Sequence, residues 1–266
     1  MRGNSINKLN LPYLEPTNIH RQMTSTPTPP AAGSAGFPVY AMLGSRLILF
    51  LLFQVLIALF LNSWESSERY WLLCATLTNL VSIGLLVILF RREGIRFLSV
   101  FSFQREKVKK DLLLFAGIIV LALPVVFAPG YLLGKLLWGD ADVPTALLFR
   151  PVESWLVYIL LLAFPLTIAF AELATYFAYV MPRLQKTLRA KWLAVLLPVI
   201  FLSVQHCTLP FIPDLHFILY RALVFLPFAL LIGVSVYFRP SLFVYFAIFH
   251  GVLDFGTAMM YLVNGR

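Results

Sequence analysis

Charged residues are scarce in this sequence, and their scarcity excludes an ordinary soluble domain. Asp, Glu, Lys and Arg make up 12% of the 266 residues, whereas hydrophobic residues make up 60%. Soluble domains carry about 25% charged residues. With a mean hydropathy of +0.85, the composition is typical of an integral membrane protein.

Cysteine is almost absent, which excludes a disulfide framework. Cys74 and Cys207 lie in or at the ends of apolar runs, and their spacing matches no zinc-site pattern. We interpret both as buried thiols. We also expect no cleaved signal peptide, because the first forty residues are polar and proline-rich instead of a short basic segment before an apolar core. The first apolar run is then expected to act as an uncleaved anchor.

Long apolar runs are abundant. Runs of about twenty residues can cross a hydrocarbon core of roughly 30 Å as helices. The sequence therefore predicts an all-α, polytopic transmembrane helical bundle. Its seven predicted spans are residues 46–62, 70–90, 112–135, 154–181, 191–206, 217–238 and 240–262.

The basic residues predict how the chain is oriented. The net charge is +9, and with a cytoplasmic N-terminus sixteen of the 21 Lys and Arg residues fall on cytoplasmic segments. This bias follows the positive-inside rule and predicts a multi-pass protein of the cytoplasmic (inner) membrane with its C-terminus outside. The charge therefore indicates contact with membrane lipid, notably at the basic loop 105–110, and no nucleic-acid partner.

Four ionisable residues are predicted to lie deep in the membrane, all of them in the last four spans, whereas the first three spans have no ionisable residue in their centres. A charge near the bilayer centre costs at least ~2.5–3.5 kcal/mol, so such residues are functional candidates by default. At about 1.5 Å of rise per residue, Glu172 and His250 lie roughly 15 Å from the cytoplasmic ends of their spans. His206 and Asp254 lie roughly 21–23 Å from those ends, so all four can meet in one layer. The four candidates are Glu172, His206, His250 and Asp254.

The types of these residues indicate hydrolytic chemistry. His250 and Asp254 are four residues apart and share a helix face. Gly251 between them leaves room for a closely packed neighbouring helix or for a substrate backbone. A carboxylate can take a proton from a water while imidazoles orient that water, hold a metal or stabilise an oxyanion. Glu172, His206 and His250 are the candidate ligands if a divalent metal such as zinc is present.

The order of these residues resembles the CPBP (CAAX protease and bacteriocin-processing) intramembrane proteases, which include prenyl-protein endopeptidases. That family has Glu-Glu-x-x-x-Arg followed by Tyr-x-x-Pro-Arg-Leu, then Phe-x-x-x-His, then His-x-x-x-Asn/Asp. The second stretch is intact as "YVMPRL" at 179–184, the third reads "LSVQH" and ends at His206, and the fourth runs from His250 to Asp254.

The first motif departs from the family pattern. Counting back from "YVMPRL" puts Glu172 on the first Glu, Leu173 on the second and Phe177 on the Arg. A register shifted by one residue would instead put Ala171 on the first Glu and remove the water-activating carboxylate. The intact "YVMPRL" favours the first register. In this register Leu173 and Phe177 stand where the family has a Glu and an Arg that could form a structural ion pair. Because an apolar pair can replace a buried ion pair at little cost, the change favours a divergent active member over an inactive one.

The resemblance implies an organisation and an activity. The resemblance covers about residues 150–262 and implies that residues 151–263 are a catalytic helical core. Composition predicts that residues 1–42 are a disordered Pro/Thr-rich tail, and residues 43–150 are expected to be the N-terminal transmembrane helices. The implied activity is hydrolysis of a peptide bond in a membrane-associated or lipid-modified (CAAX-like) substrate. Glu172 and His206 would activate the water, while His250 and Asp254 would hold the oxyanion or a metal.

Two other interpretations stay open. One is a catalytically silent membrane scaffold or bacteriocin-immunity-type protein with the same fold. The other is a haem or proton-handling membrane protein, with His206 and His250 as axial ligands or Asp254 as a proton relay. Arg221, near the outer end of the sixth span, is expected to snorkel to the membrane interface.

Overall fold

The protein is an all-α bundle with seven stretches long enough to cross a membrane. The structure, a computed structural model, describes residues 36–264, and every regular element in that range is helical. Seven of these stretches are apolar enough to span a bilayer, which confirms the predicted polytopic bundle and an integral membrane protein. The helices are α1 (Phe37–Leu61), α2 (Trp64–Glu68), α3 (Trp71–Arg92), α4 (Val108–Trp138), α5 (Val143–Leu148), α6 (Ser154–Leu173), α7 (Met181–Thr187), α8 (Lys191–Val204), α9 (Leu215–Val224), α10 (Leu226–Phe238) and α11 (Phe243–Asn264).

The first helix begins earlier than predicted. Gly36 is extended, and Pro38 lies in the first turn, where a missing N–H removes no helical hydrogen bond. Residues 37–42 are therefore helical, although the sequence assigned them to the tail. Residues 1–35 of the predicted tail lie outside the described residues.

Three predicted spans change their helical geometry partway. The fourth passes from α6 through a π-helical segment, Ala174–Val180, into α7. The fifth ends in a 3-10 turn, Gln205–Thr208. The sixth is divided at Phe225, between α9 and α10. Two of these irregular points lie at candidate site residues. The π segment begins just after Glu172, and the 3-10 turn contains His206.

Charged side chains at or near the ends of helices meet in pairs. Arg150 Nη2 lies 2.6 Å from Glu68 Oε2, and Arg239 Nε lies 2.6 Å from Asp111 Oδ1. Arg183, from "YVMPRL", pairs with Glu93 and lies over the ring of Tyr179 at 3.7 Å. These contacts tie helix ends to the loops beside them and give the "YVMPRL" stretch a structural role.

Helices α6 and α11 pack closely where Gly251 faces α6. A Cβ at Gly251 would lie 3.0 Å from Ala169 Cβ and 3.1 Å from the carbonyl oxygen of Pro165. Such contacts are too short for an undisturbed side chain, so the predicted close helix approach at Gly251 is confirmed. The approach also brings His250, the preceding residue, opposite α6.

Replacing Gly251 by Ala is expected to destabilise the bundle by about 1–3 kcal/mol, because the added methyl group forces two tightly packed helices apart. Gly256 in the same helix is the matched control, since a Cβ there has no atom within 4 Å. The measurement is thermal unfolding of both Gly→Ala variants in detergent. Equal melting temperatures for Gly251→Ala and Gly256→Ala would contradict the close approach.

Candidate functional site

The four predicted site residues line one cavity inside the bundle. The cavity has a volume of ≈ 300 Å³, and Glu172, His206, His250 and Asp254 all belong to its wall. Three elements supply them: α6, the 3-10 turn that ends α8, and α11. The structure therefore brings together the residues that the helix-rise estimate placed in one layer.

Glu172 is buried and accepts hydrogen bonds on both oxygens. Only 1% of the residue is exposed. His250 Nε2 lies 2.9 Å from Oε1, Gln205 Nε2 donates to Oε2 at 2.8 Å, and Arg46 Nη2 donates to Oε2 at 3.3 Å. A carboxylate has about four lone-pair sites. Three are used by protein donors, which leaves room on Oε1 for one further donor.

Arg46 is the main residue of this site that sequence analysis missed. It is fully buried, and its guanidinium also donates to Gln205 Oε1 at 2.9 Å and Asn79 Oδ1 at 2.9 Å. The expectation that the first three spans hold no central ionisable residue is therefore wrong. Because α1 starts at Phe37, Arg46 lies in its third turn instead of at the membrane interface. Pro38, a helix-start signal, would have indicated this position.

Gln205 connects Arg46 to Glu172. Its side-chain oxygen accepts from Arg46 and from the Tyr176 hydroxyl at 3.1 Å, and its nitrogen donates to Glu172. With two donors on its oxygen, the amide can present only its N–H₂ group to the carboxylate. The residue lies inside the "LSVQH" stretch, but a single Gln at a helix end gave no functional signal.

His250 lies between two carboxylates. Its Nε2 atom is 2.9 Å from Glu172 Oε1 and 3.4 Å from Asp254 Oδ2. The shorter contact with Glu172 is the hydrogen bond, and Asp254 Oδ2 is a buried oxygen without a hydrogen-bond partner in the part of the chain that the structure describes. Asp254 thus places a second carboxylate beside the imidazole, with one buried oxygen that no described donor satisfies.

His206 is fixed by its backbone neighbours. Its Nδ1 atom lies 2.9 Å from the carbonyl oxygen of Leu202, and its ring stacks on Phe225 with centroids 4.0 Å apart. A carbonyl oxygen only accepts, so Nδ1 carries the proton and Nε2 is the nitrogen available to a ligand. The stacking holds the ring in one plane at the cavity wall.

The first-motif positions that depart from the family are apolar and buried. Leu173 and Phe177 are each 1% exposed. Phe177 lies in the π-helical segment that follows Glu172, and such wide turns occur frequently at functional sites. The guanidinium beside Glu172 comes from Arg46 of α1 instead of from position 177.

The residues proposed as metal or haem ligands do not fit those groups as they are placed. Between residues 36 and 264, no three His, Cys, Asp or Glu side chains are grouped as a metal site. Arg46 already places a cation 3.3 Å from Glu172. Haem ligation through His250 Nε2 would break its hydrogen bond to Glu172.

Comparison with protein-family models, with curated proteins and with solved structures finds no match to this chain. Support for a function therefore comes from the residues of the site.

The Arg46–Glu172 pair is expected to couple the stability of α1 to that of α6. Arg46→Met leaves a buried carboxylate without its cation, which typically costs about 3–5 kcal/mol. In the double variant Arg46→Met/Glu172→Gln no charge is stranded, so much of that loss should be recovered. Denaturant unfolding in detergent measures the free energy of unfolding of the wild type, of Arg46→Met, of Glu172→Gln and of the double variant.

Arg189→Met is the control for this experiment, because Arg189 is exposed and should tolerate the change. A double variant that loses the sum of the two single effects would contradict the coupling.

Proposed function

We propose that this protein is an intramembrane endopeptidase of the CPBP type that hydrolyses a peptide bond of a membrane-associated or lipid-modified substrate. The observation that carries the proposal is the buried Glu172–His250 contact of 2.9 Å at the wall of a cavity that His206 and Asp254 also line. The same residues carry the resemblance in sequence. With the predicted topology, the protein would lie in the cytoplasmic (inner) membrane.

The proposed reaction uses Glu172 as the general base. Its Oε1 atom has one acceptor site left, toward which a water can donate. Glu172 takes a proton from that water, the water oxygen attacks the carbonyl carbon of the peptide, and the proton passes to the leaving amine as the C–N bond breaks. The carboxylate is thereby restored.

The histidines have different surroundings and therefore different proposed roles. His250 is hydrogen-bonded to Glu172 and holds the base in place, and an oxygen of Asp254 lies 3.4 Å from the same Nε2 atom. His206 donates its Nδ1 proton to the backbone, so its Nε2 atom would need to be protonated to donate to an oxyanion. His250 is therefore proposed to position the base Glu172, whereas the resemblance implies that His206 acts with Glu172.

Glu172→Gln and His250→Ala are expected to lower peptide hydrolysis by about 10²–10⁴-fold, the usual contribution of a general base. The assay is cleavage of a quenched-fluorescence peptide library, with prenylated and unmodified members, by the protein in nanodiscs. Glu106→Gln is the matched control, since Glu106 lies on an exposed turn.

Folding of each variant is checked by gel filtration and thermal unfolding. Hydrolysis at the wild-type rate by both folded variants would refute the proposed mechanism.

A silent scaffold is the second candidate, and one observation favours it. Three protein donors already occupy the carboxylate of Glu172, so an attacking water has a single lone pair to compete for. In such a protein the network would only hold α1, α6 and α11 together. Wild-type protein that binds a peptide of the library without cutting it would support the scaffold over the protease.

A further inference from the structure

Arg221 differs from the other deeply buried arginines of the bundle. Arg46 and Arg183 each meet a carboxylate, Glu172 and Glu93 respectively. Arg221 is 4% exposed, yet none of the ion pairs formed within residues 36–264 includes it. The expectation that Arg221 snorkels to the interface is wrong, because α9 turns this side chain into the bundle.

The protein partners of Arg221 are neutral. Its guanidinium donates to the backbone carbonyl oxygens of His206, at 3.2 Å, and Leu209, and lies 5.1 Å from the ring centroid of Phe225. These contacts orient the group but supply no countercharge. A guanidinium has five N–H donors, and the described residues accept from two of those of Arg221.

Arg221 also lines the cavity that holds Glu172 and His250. His206 and Asp254 also line it, and the rest of its wall is largely apolar, with residues such as Phe228 and Ile232. A buried cation with unused donors in such a wall favours an anion that brings an apolar body with it. The fork of a guanidinium matches a carboxylate, which it can bind through two parallel hydrogen bonds.

We infer that Arg221 is the binding residue for a carboxylate on the ligand that enters this cavity, carried either at a chain terminus or on an acidic side chain. If the ligand is a substrate, the inference rests on the proposed hydrolysis. If the ligand is bound without being cut, it does not. Arg221 would then orient the ligand in the same cavity in which Glu172 acts on it.

The test compares two pairs of small peptides, and the members of each pair differ only by a carboxylate against an amide. One pair is N-acetyl-Leu-Phe with a free carboxylate and its C-terminal amide; the other is N-acetyl-Leu-Glu amide, which carries the carboxylate on a side chain, and N-acetyl-Leu-Gln amide. Dissociation constants come from ligand-observed NMR titrations of the full chain in phosphatidylcholine nanodiscs. We expect at least one carboxylate probe to bind about tenfold or more tightly than the amide, since hydrogen bonds to a charged group are the strong ones.

Three variants assign the effect. Arg221→Gln should abolish the preference for the carboxylate, and Arg221→Lys, which keeps the charge but not the fork, should retain part of it. Arg189→Gln removes an exposed positive charge and should leave the preference unchanged. If Arg221→Gln does not fold, the comparison of wild type with Arg221→Lys still decides.

Three results would overturn the inference. The first is equal binding of carboxylate and amide by the wild type, and the second is a preference that survives Arg221→Gln. The third is a preference that disappears when phosphatidylglycerol is added to the nanodiscs, which would assign Arg221 to a lipid phosphate. A carboxylate preference without any peptide hydrolysis would refute the proposed function alone, and hydrolysis without the preference would refute this inference alone.

Discussion

Glu172 is a carboxylate placed inside a bundle whose surroundings are hydrocarbon, and the structure around it is arranged to neutralise it. An unpaired charge in such a place costs several kcal/mol, whereas one that meets a cation and hydrogen-bond donors is tolerated. Arg46 supplies the cation, and Gln205 and His250 supply further donors. These partners come from α1, the end of α8 and α11, so satisfying one side chain requires four parts of the chain to converge.

The polar network has a closed side and an open side. Arg46, Asn79 and Gln205 hold each other behind Glu172 and are not part of the cavity wall. His250, Asp254, His206 and Arg221 lie on the cavity wall. The closed side fixes the orientation of the carboxylate, because both hydrogen bonds to Oε2 come from it. The open side carries Glu172 Oε1, the unsatisfied oxygen of Asp254 and the guanidinium of Arg221, which meets no carboxylate within residues 36–264. A rigid support behind an accessible reactive group is what a functional site requires.

The departures from the family pattern acquire a physical account in this arrangement. Leu173 and Phe177 fill buried apolar space, so neither position is left with an unsatisfied charge. The guanidinium that neutralises Glu172 is carried by a different helix, more than a hundred residues earlier in the chain. Glu172 therefore has a cation beside it even though Phe177 stands where the CPBP pattern has Arg.

Sequence composition and periodicity determined a large part of this structure. Seven apolar runs predicted the seven spans, because the length needed to cross a bilayer is a property of local composition. The four candidate residues were predicted to share a layer, since depth along a helix follows from counting residues. The His250–Asp254 face followed from helical periodicity in the same way.

Other features were decided only by tertiary structure. The partners of Glu172 could not be predicted, because Arg46 and Gln205 lie on other helices, far from it in sequence, and meet it only when those helices pack together. The same holds for Arg221, since whether a long cationic side chain reaches the interface or turns inward depends on how neighbouring helices orient α9. Depth along a helix is local information, whereas the direction in which a buried polar side chain finds its partner is set by packing between helices.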